Sequence, residues 1–368
     1  MRFPLLQSFQ RKGILTVSSS APLVFDGHND VLLQLYRDGG PSKANAFLAG
    51  REGAIDLPKS KIGGFGGGFF AVFVPSPTDL EHKFREMTKD TYDLALPEAI
   101  ECNDALPVVA AQIATLRELE RLGALTICRS AADMRAAFAA GKMAAILHME
   151  GAEAIDADLH MLDVLHAAGL RSLGPVWSRP TIYGEGVPFR FPSSPDTGGG
   201  LTDHGLALVK RCNELKIMLD LSHLNEAGFW DVARHSEAPL VATHSNAHAI
   251  TPHSRNLTDD QLRAIAESDG MVGLNFAVAF LREDGKMLAD VPLTQMLKHL
   301  DHLIGILGED RVGLGSDYDG AVVPKELTEA SALPKLRQAM KEHGYGEDLI
   351  RKLCHENWLR VLELTWGS

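Results

Sequence analysis

Apolar residues along the chain fall into two alternating patterns: short runs apolar at nearly every position, and longer stretches with apolar residues three or four apart. The short runs are LVFDGH (Leu23–His28), GGGFFAVFVP (Gly66–Pro75), MAAILHMEG (Met143–Gly151) and RSLGPVW (Arg171–Trp177). KIMLDLSH (Lys216–His223), APLVATHSN (Ala238–Asn246), GMVGLNF (Gly270–Phe276) and RVGLGSDYDG (Arg311–Gly320) complete the set. Parallel strands covered on both faces read this way, because neither side of the sheet meets water. Between them, stretches such as DADLHMLDVLHAAG, GLALVKRCNEL, TDDQLRAIAES and LTQMLKHLDHLIGILG carry one apolar face each, as helices resting on a sheet do. Strands alternating with helices in this way predict an α/β fold, the (β/α)8 TIM barrel, with extra helices and loop insertions. A doubly wound open sheet is the alternative. The insertions are expected at 41–64, 76–140, 178–203 and after Asp319. Residues 1–368 read as one domain: an N-terminal extension over 1–20, a barrel core over about 21–320, and C-terminal helices over about 321–368. No repeat or low-complexity tract interrupts it.

Charge narrows the class of partner. The chain has 36 Lys+Arg against 48 Asp+Glu, a formal net charge of −12. No basic patch offsets that balance, which argues against nucleic acid. Cys102, Cys128, Cys212 and Cys354 show no CxxC spacing, so reduced, structural cysteines and a cytoplasmic location are expected. The start, MRFPLLQSFQRKGILTVSSSAP, is positively charged, but Gln7, Ser8, Gln10, Arg11 and Lys12 break its apolar stretch, unlike a signal peptide. No run approaches the roughly 20 apolar residues of a membrane helix, so no membrane partner is expected.

In a barrel, chemistry gathers at the carboxyl ends of the strands. Those ends supply His28 and Asp30, then Glu150, His223, His244, and finally Asp317 and Asp319. His28 and Asp30 are two apart, so both can face one ion. Imidazole and carboxylate together are the ligand set for zinc and similar divalent ions. Three histidines with shared carboxylates suggest two ions, and Glu150 is best placed to bridge them. His148 shares a strand face with Glu150 and is expected behind the ligands. His248 and His253 lie close in sequence to His244 but off the strand end, so neither is expected to bind metal. GGFGGG (63–68) precedes a strand instead of opening a helix, so it reads as close backbone packing, not as a phosphate loop.

Several of these stretches, taken in order, resemble the renal (membrane) dipeptidase family of the amidohydrolase superfamily. They are DGHND, HMEG at Glu150, LDLSH at His223, ATHSNAHAI at His244, PHSRNLTD at Arg255 and VGLGSDYDG at Asp317, with ENWLRVL trailing. They run from Asp26 to Leu362. The resemblance implies a barrel holding two Zn2+ per chain, with His28 and Asp30 on one, His223 and His244 on the other, and Glu150 bridging. It implies a bridging hydroxide that attacks the peptide bond of a free dipeptide, including L-Xaa-D-Xaa. Asp317 would carry the proton to the leaving amine, and Arg255 would hold the substrate carboxylate. A homodimer is implied as well.

One departure stands out. The family commonly has a substrate-contacting histidine after the fourth strand, where this chain reads RSLGPVWSRPTIYGEGVPF with Trp177 near that place. Arg179, Tyr183 and Glu185 are the candidates to replace it, with Tyr183 and Glu185 expected to bind substrate and Glu185 to meet the free amine. The departure motivates a second expectation, an amidohydrolase acting on another small amide such as an N-acyl amino acid. A catalytically silent scaffold is the third, disfavoured by the intact ligand set.

Overall fold

The computed structural model describes residues 21–77 and 80–367; the expected N-terminal extension over 1–20 lies outside the described residues. The strands are β1 (Val24–Asn29), β2 (Phe65–Phe73), β3 (Tyr92–Leu94), β4 (Leu125–Ile127), β5 (Met143–Glu150) and β6 (Leu170–Gly174), followed by β7 (Phe189–Phe191), β8 (Met218–Leu219), β9 (Val241–Ala242), β10 (Met271–Asn275) and β11 (Val312–Gly315). Eight of them lie in the parallel order β8-β6-β5-β2-β1-β11-β10-β9. A parallel bridge from Asp220 to Val241 joins the two ends, and the Leu221 N–H donates to the Val241 carbonyl at 2.8 Å. The sheet therefore closes into the (β/α)8 barrel, and the open-sheet alternative falls away.

Each predicted run forms a barrel strand, but β8 and β9 are much shorter than their apolar runs. The cause is Asp220. Its Oδ1 accepts from the N–H groups of Ser222, at 3.0 Å, and Thr243, at 2.8 Å. Side-chain bonds thus replace the ladder where these strands open toward the site. The helix expected across DADLHMLDVLHAAG also starts late, at His160. The Asp156 carboxylate accepts from the N–H groups of Asp158, His160 and Met161 and holds the preceding turn.

Side chains alternate across the strands as the pleat requires. Phe25, Phe69, Ile146, Met218, Val241 and Met271 pack together with Trp358 in one buried cluster inside the barrel. Phe70, Leu147, Leu173, Val272 and Leu314 belong to the other cluster, shared with the helices. Trp358 opens the C-terminal helix Asn357–Trp366, and its indole N–H donates to the Leu314 carbonyl at 3.2 Å. That helix closes the barrel end opposite the site, which gives the ENWLRVL stretch a packing role. GGFGGG packs as expected. At Gly67 (φ +136°) a Cβ would lie 1.9 Å from the Ala144 carbonyl oxygen, so no side chain fits between β2 and β5. The insertions supply the expected extra elements, among them β3 and β7, which pair antiparallel. β4 lies beside the first half of β5.

Candidate metal centre

Five of the predicted residues meet at the carboxyl end of the barrel. His28 and Asp30 leave β1, Glu150 ends β5, and His223 and His244 follow β8 and β9. Glu150 Oε1 lies 3.6 Å from His28 Nε2, 3.2 Å from His223 Nε2 and 3.4 Å from His244 Nε2. His28 Nε2 is also 3.5 Å from Asp30 Oδ2. Two groups with metal-ligand geometry result, His28–Asp30–Glu150 and Glu150–His223–His244, all buried and sharing Glu150.

The donor set fits a divalent cation. Both nitrogens of His28 and the Nε2 of His244 are buried without a hydrogen-bond partner, which is costly unless something positive is held there. Burial opposes a charge on His28, but Glu150 and Asp30 outweigh it and push the imidazole up to about 10. Burial pushes Glu150 up to about 8. His223 and His244 are driven well below the usual histidine range, chiefly by burial, and neutral imidazole is the ligating form.

Hydrogen bonds behind the candidate ligands fix their orientation. His223 Nδ1 meets Ser178 Oγ at 2.8 Å, and His244 Nδ1 meets Thr243 Oγ1 at 2.8 Å. The Thr243 hydroxyl donates to Asp220 Oδ2 at 2.5 Å. With its proton committed to Asp220, that hydroxyl accepts from His244 Nδ1, which frees His244 Nε2 as a ligand. His148 lies in the same layer, 3.6 Å from Asp220 Oδ2 and 2.8 Å from Ser172 Oγ. Asp220 also falls close to His28 and His244. Its oxygens are taken by hydrogen-bond donors, which suits it to support the candidate ligands instead of joining them.

Asp317 completes the ring of acids. Its backbone sits in the left-handed region, φ +59°, and its N–H donates to the His28 carbonyl at 3.0 Å. Its Oδ2 accepts from Asn275 Nδ2 at 3.0 Å, while burial raises the carboxyl above its ordinary value. Arg255 is buried nearby, donating to the His244 carbonyl at 3.1 Å. Its Nε lacks a partner, and its guanidinium lies 5.4 Å over the Phe280 ring. A cavity of about 610 Å³ opens onto Glu150, His223 and Asp317 and has Phe73, Trp177, Phe189 and Phe280 in its walls.

The family model for membrane dipeptidases (peptidase family M19) matches residues 14–365. The chain belongs to this family. It is a metal-dependent dipeptide hydrolase. A metallopeptidase from Rhodobacter sphaeroides, solved with a phosphinate mimic of the dipeptide L-Ala-D-Ala, is 56% identical. The match covers 94% of this chain and 100% of that one, with a TM-score of 0.92. A second solved structure, named dipeptidase AC, is also 56% identical, covering 95% of this chain and 100% of its own, with a TM-score of 0.92. A Klebsiella pneumoniae protein, named an uncharacterized protein in the pqqA 5′ region, is 48% identical over 265 residues. That alignment covers 72% of this chain and 98% of the relative.

Within the dipeptidase, the loop after β6 departs from expectation. Tyr183 is fully buried, and its hydroxyl donates to the carbonyls of Ile155, at 3.1 Å, and Asp156, at 2.9 Å. It lies outside the cavity lining, because a phenol that deep must satisfy its hydroxyl on the nearest carbonyls. Glu185 is exposed and also outside the lining. Arg179 is consumed by Glu153 (2.5 Å), Ser76 and the Val74 carbonyl. Trp177 is the member of that loop that walls the cavity, 5.8 Å from the His223 ring. His248 Nε2 donates to the Ser193 carbonyl at 3.0 Å, and His253 Nδ1 accepts from the Arg255 N–H, so both are engaged away from the candidate ligand set. Asp319 pairs with Arg51 at 2.9 Å.

Sequence reasoning missed Asn275, Asp220 and Ser178. Asn275 ends β10, which like β2 is a strand end from which no site residue was drawn, and the strand-end rule alone would have flagged it. Asp220 sits inside LDLSH, where its acid within an apolar run was a signal. Ser178 gave none.

Proposed function

We propose that this dipeptidase holds two zinc ions and hydrolyses free dipeptides, including those of the L-Xaa-D-Xaa type. The sharing of Glu150 between the His28–Asp30 and His223–His244 groups carries the reading. His28, Asp30 and Glu150 would hold one ion, and Glu150, His223 and His244 the other. When bound, the ions supply Lewis acidity for the scissile carbonyl and the attacking water. The chain's own groups do the rest. Arg255 meets the substrate's terminal carboxylate with a permanently charged planar fork. The Asp317 carboxylate, held by Asn275, takes a proton from the water and delivers it to the leaving amine. The Phe73, Trp177, Phe189 and Phe280 walls exclude solvent around the bond.

The L-Ala-D-Ala mimic bound by the 56%-identical Rhodobacter sphaeroides metallopeptidase supports this substrate class. The reading also includes a cytoplasmic location, supported by four unpaired cysteines, and a homodimer, from the family resemblance. Among the described residues no helix is long and apolar enough to cross a membrane.

The test is elemental analysis paired with amino-acid release from L-Ala-L-Ala, L-Ala-D-Ala and N-acetyl-alanine. About two zinc ions per chain with turnover of both dipeptides is the expected result. One ion per chain overturns the paired centre. Hydrolysis of N-acetyl-alanine without dipeptide turnover overturns the substrate class.

A further inference from the structure

One cation in the cavity wall has no role in the reading above. Lys83, on the helix Leu80–Glu86, lines the cavity, and its Nζ lies 5.7 Å over the Trp177 ring. No carboxylate among the described residues pairs with it. The acids of the wall are engaged elsewhere: Asp30 and Glu150 in the candidate metal groups, Asp317 with Asn275, Asp319 with Arg51, and Glu329 with Ser331 and Lys59. Arg179 also lies near Lys83, and burial together with that repulsion lowers the lysine's affinity for its proton. Arg179 is itself neutralised by Glu153, and Arg37, the other cation of the lining, is exposed, so among the described residues Lys83 is the half-buried positive charge of the wall without a counter-ion. An arriving anion would relieve both the desolvation and the repulsion.

Its position relative to Arg255 says which part of the substrate the anion belongs to. Trp177 stands 5.7 Å from Phe189, and Phe189 stands 6.1 Å from Phe280. The ring contacts form a series with Lys83 over Trp177 at one end and, over Phe280 at the other, Arg255, which is buried and does not itself line the cavity. If Arg255 takes the C-terminal carboxylate, Lys83 stands at the opposite end of the series, toward the N-terminal residue. A cation there opposes the free α-amine unless the same residue brings a negative charge.

We propose that Lys83 and the Trp177 ring form a subsite for an acidic side chain, so that dipeptides with N-terminal Asp or Glu are favoured. The proposal rests on the dipeptidase reading and on Arg255 as the carboxylate partner. It also gives Trp177 a purpose at the place of the expected histidine: the indole face steadies the ammonium group.

The experiment compares kcat/KM for L-Glu-D-Ala and L-Gln-D-Ala, which match in size and differ in charge, in the metal-loaded enzyme and in Lys83→Met and Lys83→Arg. The expected wild-type preference for L-Glu-D-Ala is about tenfold or more, as one charged hydrogen bond supplies, and it shrinks as salt rises. Lys83→Met should bring the ratio close to one, and Lys83→Arg should retain most of it. A wild-type ratio near one, or an unchanged ratio in Lys83→Met, overturns the subsite. The L-Gln-D-Ala rate reports whether the variant is folded. If Lys83→Met is inactive on both, the wild-type ratio and its salt dependence decide. Wild-type enzyme that cleaves neither L-Gln-D-Ala nor L-Ala-D-Ala overturns the dipeptidase reading instead, and this one with it.

Discussion

The side-chain amide of Asn275 holds the carboxylate of Asp317, Nδ2 to Oδ2, at 3.0 Å. The same nitrogen reaches the His244 carbonyl at 3.3 Å, and the Asn275 Oδ1 accepts from the Ala277 N–H, so the amide cannot rotate freely. This hydrogen bond lowers the pKa of a carboxyl that burial raises. In Asn275→Leu the Asp317 pKa therefore climbs further, and the acid limb of the kcat/KM profile should move to higher pH. A profile superimposable on the wild type would refute this positioning. Asp317→Asn should cut kcat about a hundredfold or more while metal content holds, as loss of a general acid–base group does.

Glu150 and His28 should together govern metal binding and its pH dependence. Removing the shared carboxylate in Glu150→Ala should strip most bound metal, read by elemental analysis. In the chelated protein, both His28 and Glu150 hold protons more tightly than in the unfolded chain, at about 10 and about 8. The folded state then binds more protons than the unfolded one across neutral and mildly basic pH. Stability of the metal-free protein should accordingly fall as pH rises from 7 to 9. Zinc replaces those protons, so adding it should reverse the trend, seen as a rise in Tm that is larger at pH 9 than at pH 7.

Arg255 should be sensitive to the substrate's carboxylate and little else. Arg255→Met is expected to lower kcat/KM for free dipeptides about tenfold to a hundredfold, the worth of a charged hydrogen bond. Dipeptide amides, which lack the charge, should lose far less. Equal losses on both would contradict the assignment.

Arg179 and Glu153 are fully buried, 2.5 Å apart. Arg179→Met leaves Glu153 unpaired in a site where burial already raises its pKa, which should cost about 3–5 kcal/mol in urea unfolding. Replacing both by Met and Gln should recover much of that loss. A single variant as stable as the wild type would show that the pair contributes nothing.

Tyr183 should behave as a packing residue. Tyr183→Phe removes the hydroxyl from the carbonyls of Ile155 and Asp156, at a cost of about 1–3 kcal/mol for acceptors left buried. Its kinetics on L-Ala-D-Ala should stay within about twofold, since the phenol is outside the cavity; a large rise in KM would restore it to the substrate site.

The expected barrel and the meeting of His28, Asp30, Glu150, His223 and His244 were legible because both depend on short-range pattern. Apolar runs fix the strands, and a closed parallel barrel brings every strand end to one rim. Residues far apart in sequence thus become neighbours by topology alone. Asn275 obeys the same rule and was overlooked, not hidden. The late start of the helix at His160 and the brevity of β8 and β9 were not legible, since Asp156 and Asp220 take up backbone N–H groups only in the folded arrangement.

The loops obey no such rule. Trp177, Arg179, Tyr183 and Glu185 lie within nine residues of one another, yet one walls the cavity, one neutralises Glu153, one is tied to two carbonyls and one is exposed. Lys83 comes from an insertion whose sequence gives no hint that its side chain crosses to Trp177. What the sequence by itself determined was the frame and the chemistry held at the strand ends, because periodicity dictates which way those side chains face. Which loop residues meet the substrate was decided only by tertiary structure, because a loop side chain turns toward whatever partner best satisfies its charge or hydrogen bonds, and those partners lie on other strands.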